Sequence, residues 1–410
     1  MTDDYFMSIA LKLAEKALGS VAPNPAVGCV ITKDGMVVGK GYTGIGGRPH
    51  AEVIALQNAK DLTHGATMYV TLEPCCHFGV TEPCTAEVIR AGIKRVVIAT
   101  IDPDTRVSGR GIKVLKEAGI EVKQGIMQEE AEKLNIGFFT TRKLHRPFTA
   151  CKVATTLDGK IATFTSNSKW ITGKQTRNWV HTLRAKYDAI MIGSNTLIND
   201  DPLLTCRLPG LEDRSPTRLI IDSQGRLSEE HNIAKTANKV ATWVITNKEV
   251  EKKIKNINYL IVNSNNKPPA ISASPSVIPV PRHWDPENLI ANEHTRQLCD
   301  KNWIPASRAG MTSGRKAGKV CLKDTVSKLV SEVGITRLLV EGGGVLITEL
   351  LKSDLIDRLI ICRSGKILGN DAIPFVGNLG IQSINNCYQF KKAEVIDLDE
   401  DIVEVWDRLL

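Results

Sequence analysis

A chain of 410 residues is too long for one ordinary domain and calls for two or three. With 42% apolar and 24% charged residues it has the composition of a soluble globular protein, and no apolar run reaches the roughly 18 residues that a membrane span needs. The net charge of +8 suits a nucleic acid or an anionic small molecule, but the basic residues are dispersed and aromatic residues make up only 5%, too sparse for base-stacking platforms.

Ten cysteines, of which only two stand at metal spacing, read as reduced thiols and not as a disulfide framework. The acidic start Met1-Thr2-Asp3-Asp4 leads into an amphipathic helix, unlike a signal peptide, so a cytoplasmic location is expected. Met7, Ala10, Leu11, Ala14 and Leu18 recur at helical spacing, and Gly19 follows where that helix would end. Strands over 27–31 and 36–41 flank Asp34-Gly35, a strong hairpin signal. A helix from His50 to about residue 59, a strand over 67–72, a helix opening near Cys84, a strand over 95–100, a helix over 112–118 and a strand over 121–124 come next. This alternation predicts an α/β fold, a three-layer α/β/α domain over residues 1–145.

Chemistry concentrates in His50-Ala51-Glu52 and in Thr71-Leu72-Glu73-Pro74-Cys75-Cys76-His77-Phe78-Gly79-Val80-Thr81-Glu82-Pro83-Cys84. One imidazole and two thiolates, His50, Cys75 and Cys84, are the usual protein ligands of a catalytic Zn2+, which keeps a fourth position for water and lowers its pKa to about 7. Helix N-termini at His50 and Cys84 would favour thiolate over thiol. Glu52 is placed to carry the proton from that water to a leaving group. A closed structural zinc site would instead recruit Cys76 or His77 as a fourth ligand, and would leave Glu52 without a role. The H-x-E pattern followed by Pro-Cys and a further Cys resembles the zinc deaminases, although eight residues separate Cys75 from Cys84 where two are common.

The run Pro23-Asn24-Pro25-Ala26-Val27-Gly28, with His50-Ala51-Glu52-Val53, Thr71-Leu72-Glu73-Pro74-Cys75, Pro83-Cys84, Asp102-Pro103 and Gly109-Arg110-Gly111, resembles the deaminase half of the bifunctional riboflavin-biosynthesis deaminase-reductases. The resemblance implies a cytidine-deaminase-like domain acting on 2,5-diamino-6-(5-phosphoribosylamino)pyrimidin-4(3H)-one, with zinc on His50, Cys75 and Cys84 and proton shuttling by Glu52. Asn24 reads as a contact to the pyrimidine edge or as a turn residue held between two prolines. Thr43, Val80 and Asp104 stand where the family commonly has His, Lys and Asn. A lost lysine and a gained carboxylate are expected to make the pocket less friendly to a phosphate, and so to weaken or redirect the deaminase.

From residue 146 to 410 the pattern is again strand and helix. A strand over 148–154 runs into the turn Asp158-Gly159-Lys160, a helix over 174–187 stacks Trp179, Leu183 and Tyr187, and a strand over 188–193 precedes the loop Asn199-Asp200-Asp201-Pro202. Strands over 218–222, 241–246 and 259–262 and the strand, glycine loop and helix start over 338–347 imply a mostly parallel sheet. Glycines at such a junction let backbone N–H groups approach a phosphate, or simply build a tight turn.

Lys152, Asp158-Gly159-Lys160, Trp170-Ile171-Thr172-Gly173, His181 with Leu183-Arg184-Ala185, Asp200-Asp201-Pro202 and Glu341-Gly342-Gly343 resemble the reductase half of the same family. That resemblance implies a dihydrofolate-reductase-like α/β domain that uses NADPH to convert the ribosyl group to a ribityl chain. It places NADPH against Ala154, Trp170, Thr196, Asp200, Ser223, Gly343, Gly344, Val345, Leu346 and Ile347. It places the substrate against Ser168, Arg184, Leu204, Arg207 and Glu341, with Lys152 positioning or protonating the sugar oxygen. A phosphorylated pyrimidine is thus the expected partner, with no nucleic acid and no membrane, and the enzyme is expected to be a homo-oligomer. Residues 265–318, rich in Pro, Ser, Asn and Arg, resemble nothing in the family and read as a disordered insert. Two rival readings give the first domain another aminopyrimidine or nucleic-acid base, or an inactive role in assembling the reductase.

Overall fold

The structure, a computed structural model, describes residues 2–262 and 320–409; the stretch read as an insert lies outside the described residues. The first half begins with α1 (Asp3–Glu15), whose N-terminus is capped by Thr2 Oγ1 accepting from Tyr5 N at 3.3 Å, with Asp3 and Asp4 at the positive end of the helix dipole. Strands β1 (Gly28–Lys33) and β2 (Met36–Tyr42) form the expected hairpin, with positive φ at both Asp34 and Gly35. Next come α2 (Ala51–Ala59), β3 (Thr67–Val70), α3 (Cys84–Arg90), β4 (Arg95–Ile98), α4 (Arg110–Glu117), β5 (Glu121–Gln124), α5 (Gln128–Leu134) and α6 (Ile136–Leu144).

These strands make a sheet of order β2-β1-β3-β4-β5, antiparallel at the hairpin side and parallel across β3, β4 and β5. Alternate residues feed two cores. Cys29, Ile31, Met68, Val70, Val96 and Ile98 pack with Ala51, Ala55, Val88 and Leu115, whereas Val30, Tyr69 and Val97 pack with Phe6, Met7, Ala10 and Ala131. The period of two thus buries both faces of the sheet and gives the three layers. At Gly41 a Cβ would lie 2.2 Å from the Ala51 carbonyl oxygen, so a residue without a side chain lets α2 lie directly on β2.

The chain leaves this sheet after Leu144 and enters a second one at Phe148. The second half contains β6 (Phe148–Thr155), β7 (Lys160–Ala162), α7 (Lys174–Arg184), β8 (Ala189–Gly193), α8 (Ser194–Asp200), β9 (Thr217–Ile221), α9 (Asn232–Lys235), β10 (Thr242–Thr246) and β11 (Asn258–Ile261). Beyond the undescribed stretch lie α10 (Leu322–Ser331), β12 (Arg337–Glu341), α11 (Gly344–Lys352), β13 (Arg358–Ser364), β14 (Ile373–Pro374), β15 (Phe390–Leu398) and β16 (Asp401–Arg408).

A nine-stranded sheet of order β11-β10-β9-β8-β12-β6-β13-β16-β15 results, parallel from β11 to β13 and closed by an antiparallel β16-β15 edge. The helix expected over 174–187 stops at Arg184, leaving Tyr187 buried in the turn before β8, and Asn199 and Asp200 end α8 instead of lying in a loop. Parallel β6, β8, β9 and β12 bring Thr155, Gly193, Asp222 and Gly342 to one end of the sheet, where such folds collect ligands.

The two halves touch through Lys186 and Glu15 at 2.7 Å, through Arg337 Nη1 donating to the Leu134 carbonyl at 3.2 Å, and through Gly137, whose Cβ would strike Arg337 at 2.4 Å.

Candidate active sites

His50 is the N-cap of α2, Cys84 opens α3, and Cys75 lies in the loop after β3, so three separate elements deliver the three donors. His50 Nδ1 lies 3.1 Å from Cys84 Sγ and 3.6 Å from Cys75 Sγ, and all three donor atoms fall within 4.8 Å of one another. Bonds of about 2.0–2.3 Å at tetrahedral angles separate donors by about 3.3–3.8 Å, so this set fits a zinc ion. Neither Cys76 nor His77 joins the cluster: Cys76 Sγ points to the Arg106 carbonyl at 3.9 Å.

Glu52, in the first turn of α2, is 4% exposed, and burial pushes its carboxyl up to about 7. Cys84 donates to Cys75 and, with His50, draws the Cys75 thiol down to about 4, while the same bond and burial push Cys84 up. Metal binding at this pair requires both sulfurs as thiolates, so it would release protons.

The loops around this cluster are held by groups whose partners lie far off in the sequence. Glu73, 3% exposed, accepts from Asp102 N, Gly109 N and Ile112 N at 3.3, 2.9 and 3.2 Å, and so ties the 102–112 loop to the segment that carries Cys75. Asn135 exchanges two hydrogen bonds with Ala26, accepting at 2.9 Å and donating at 2.8 Å, which fixes the segment that carries Asn24. Asn24 itself packs against Gly47 and lines a small recess with Leu134, Asp188 and Arg337, where the two halves meet.

Of the three unusual positions, only Val80 is open to solvent, at 86% exposed. Thr43 is buried and its Oγ1 accepts from Val27 N at 2.9 Å. Asp104, expected to make the pocket less friendly to a phosphate, is 8% exposed. Its carboxylate is paired with Arg106 at 2.7 Å and Arg142 at 3.4 Å and held down to about 2, chiefly by Arg106. Arg48, which the sequence reading passed over, donates to Thr81 Oγ1 at 2.5 Å and pins the 77–82 loop.

In the second half Glu341 ends β12 and accepts both arms of Arg184 from α7, at 2.7 and 3.0 Å, while Lys152 of β6 stands 3.8 Å away. Burial alone would raise the Glu341 carboxyl, but Arg184 and Lys152 bring it down to about 2. Arg184 also donates to the Thr205 carbonyl at 3.1 Å, and Arg207 N approaches His181 Nδ1 at 3.3 Å. Buried Leu204 has a positive φ of 55° in the same loop.

Ala154 is half-buried on β6, and Ser168 is half-buried in the loop before α7. Trp170 in that loop is not core: it is 63% exposed, with the Arg177 guanidinium 4.5 Å from its ring centre. Thr196 Oγ1 accepts from Gly343 N at 3.2 Å, which joins the β8 and β12 ends. Ser223 is half-buried just after β9, and Asp200 closes α8. Gly344 and Val345 form the first turn of α11, where N–H groups lack helical acceptors. The side chains of Leu346 and Ile347 instead enter the core, and Leu346 packs beneath Gly342, where a Cβ would lie 3.4 Å from its Cδ2.

Fold and sites together define a cytidine-deaminase-like domain joined to a dihydrofolate-reductase-like domain, a hydrolase and an oxidoreductase in one chain. Residues 1–100 match the cytidine and deoxycytidylate deaminase zinc-binding region, and residues 147–403 match the RibD C-terminal domain. The chain is 39% identical over 410 residues to the riboflavin biosynthesis protein RibD of Aquifex aeolicus, covering 99% of this chain and 98% of that protein. The solved structure of Acinetobacter baumannii RibD, form 1, is similar with a TM-score of 0.80 at 32% identity, over 100% of this chain and 99% of that one. A diaminohydroxyphosphoribosylaminopyrimidine deaminase/5-amino-6-(5-phosphoribosylamino)uracil reductase from Thermotoga maritima gives a TM-score of 0.78 at 32% identity, over 99% of each chain. The chain belongs to the RibD family, the bifunctional deaminase/reductases of riboflavin biosynthesis. No helix among the described residues is long and apolar enough to cross a membrane.

Proposed function

We propose that the chain deaminates 2,5-diamino-6-(5-phosphoribosylamino)pyrimidin-4(3H)-one to the uracil and then reduces the ribosyl group of that product to ribityl. The observation that carries the first step is the cluster of His50, Cys75 and Cys84 with Glu52 buried beside it. When bound by these three residues, zinc supplies the Lewis acidity that ionises water near neutral pH. Glu52, with its carboxyl near 7, is suited both to take a proton from water and to return it to the departing amino group. Asn24 is assigned to the pyrimidine edge.

For the second step, NADPH supplies the hydride. The Gly343–Thr196 contact, the free first turn at Gly344 and Val345, and the exposed Trp170 support a cofactor lying across the strand ends, with Ala154, Asp200 and Ser223 beside it. Leu346 and Ile347 support that turn from within the core. The substrate is assigned to Ser168, Leu204, Arg207, Arg184 and Glu341. Lys152 Nζ, 3.8 Å from Glu341, is assigned to hold the sugar oxygen and give it a proton. We read the enzyme as a cytoplasmic homo-oligomer acting on a small phosphorylated pyrimidine and not on a nucleic acid.

The test is to incubate purified protein with the diaminopyrimidine ribotide, with and without NADPH, and follow products by mass spectrometry. The uracil without NADPH and the ribityl product with it are expected. Failure to deaminate the ribotide, with supplied uracil ribotide still reduced, would return the first domain to another substrate or to an inactive role.

A further inference from the structure

Arg226, in the turn after β9, is half-buried and answers to no carboxylate among the described residues. Its Nη2 donates to two neutral acceptors at the end of β8, Ser194 Oγ and Asn195 Oδ1, the latter at 2.9 Å. Its Nε is buried without any partner. The carboxylate of the same turn, Asp222, is engaged elsewhere: its two oxygens accept from Gly225 N at 3.0 Å and Leu227 N at 2.9 Å, which shapes the turn that presents Arg226. Contrast Arg184, which is paired with the Glu341 carboxylate, and Arg218, sealed among five neutral acceptors. A guanidinium taken partly out of water with donors unmet is costly unless an anion completes it, and its fork suits a phosphate.

Position tells which phosphate. Gly343 at the β12 end is tied to Thr196 at the β8 end, and Arg226 reaches back from the β9 end to Ser194 and Asn195. The order β12-β8-β9 makes this a continuous rim, about 10 Å long at about 4.8 Å per strand. A dinucleotide whose pyrophosphate occupies the glycine turn therefore has its adenosine end over β9, beside Ser223 and Arg226. We propose that Arg226 binds the 2′-phosphate of the adenosine ribose and is the residue that makes the reductase prefer NADPH to NADH; this rests on the reading of NADPH as the cofactor.

The test compares wild type with Arg226→Gln and Arg226→Lys, by KM for NADPH and for NADH and by calorimetric binding of 2′,5′-ADP and 5′-AMP in the absence of turnover. Loss of a charge-assisted contact is expected to raise the NADPH KM and the 2′,5′-ADP Kd about tenfold or more in Arg226→Gln. NADH and 5′-AMP should change less than about twofold, and Arg226→Lys should recover part of the preference. An equal loss for both members of each pair would make Arg226 a support for the rim alone and overturn the proposal, as would an unchanged preference. Wild type that binds neither NADPH nor 2′,5′-ADP would instead overturn the cofactor reading itself.

Discussion

Glu52 shows how much one residue's setting decides. Its place two residues after His50 puts it on the first turn of α2, where it is buried. A carboxyl near 7 exchanges protons readily at neutral pH, where an exposed one would stay ionised. Glu52→Gln is therefore expected to lower deaminase kcat/KM by about 10²–10⁴-fold while zinc content, measured by atomic absorption, stays at the wild-type level. Reduction of supplied uracil ribotide should be untouched. Zinc lost together with activity would mean that Glu52 maintains the metal cluster and does not move protons. The same residue scale shows what identity alone leaves out at Asp104. Its identity suggested repulsion, but Arg106 and Arg142 neutralise it, and only the loop geometry brings those arginines onto it.

At the scale of elements, the 102–112 loop and α4 depend on Glu73, which answers three backbone N–H groups at once. Glu73→Gln turns an amide NH2 toward donors that need acceptors, and is expected to cost about 1–3 kcal/mol in urea unfolding and to lower deaminase activity. An unchanged midpoint would show that the loop holds itself. What was legible before folding follows the same division. The hairpin at Asp34-Gly35, α2, and the parallel strands other than β13 announce themselves through local period and turn chemistry, and so does the donor set of His50, Cys75 and Cys84. The reading missed α5, α6, α8 and the strands β13, β15 and β16, which are short or carry little alternation: β15 is exposed along most of its length. Likewise the roles of Glu73 and Asn135 carry no sequence signal, because their partners stand 29–39 and 109 positions away. Proximity of that kind is a product of the sheet order and has no local signal.

Across the whole molecule the halves meet through modest contacts, so their stabilities should respond separately. The Lys186–Glu15 pair is about half exposed on both sides, and Lys186→Ala is expected to change the unfolding free energy of either half, read from urea melts, by under about 1 kcal/mol. The Arg184–Glu341–Lys152 group is different: it is enclosed by the second half, with each side chain 12–14% exposed. Removing one partner of such a group leaves a buried charge alone, which typically costs about 3–5 kcal/mol, so Glu341→Gln should destabilise the reductase half strongly at pH 7 and leave the zinc half in place. The sign with pH follows from the depressed carboxyl. Glu341 titrates near 4.5 when unfolded and near 2 when folded, so its contribution is complete above about 4.5 and disappears as the pH falls through about 2. The gap between wild type and Glu341→Gln in urea unfolding should thus be widest at pH 7 and narrower at pH 3. A gap that holds constant between those pH values would mean that the carboxylate's charge contributes nothing to holding Arg184, and that the site owes its order to packing alone.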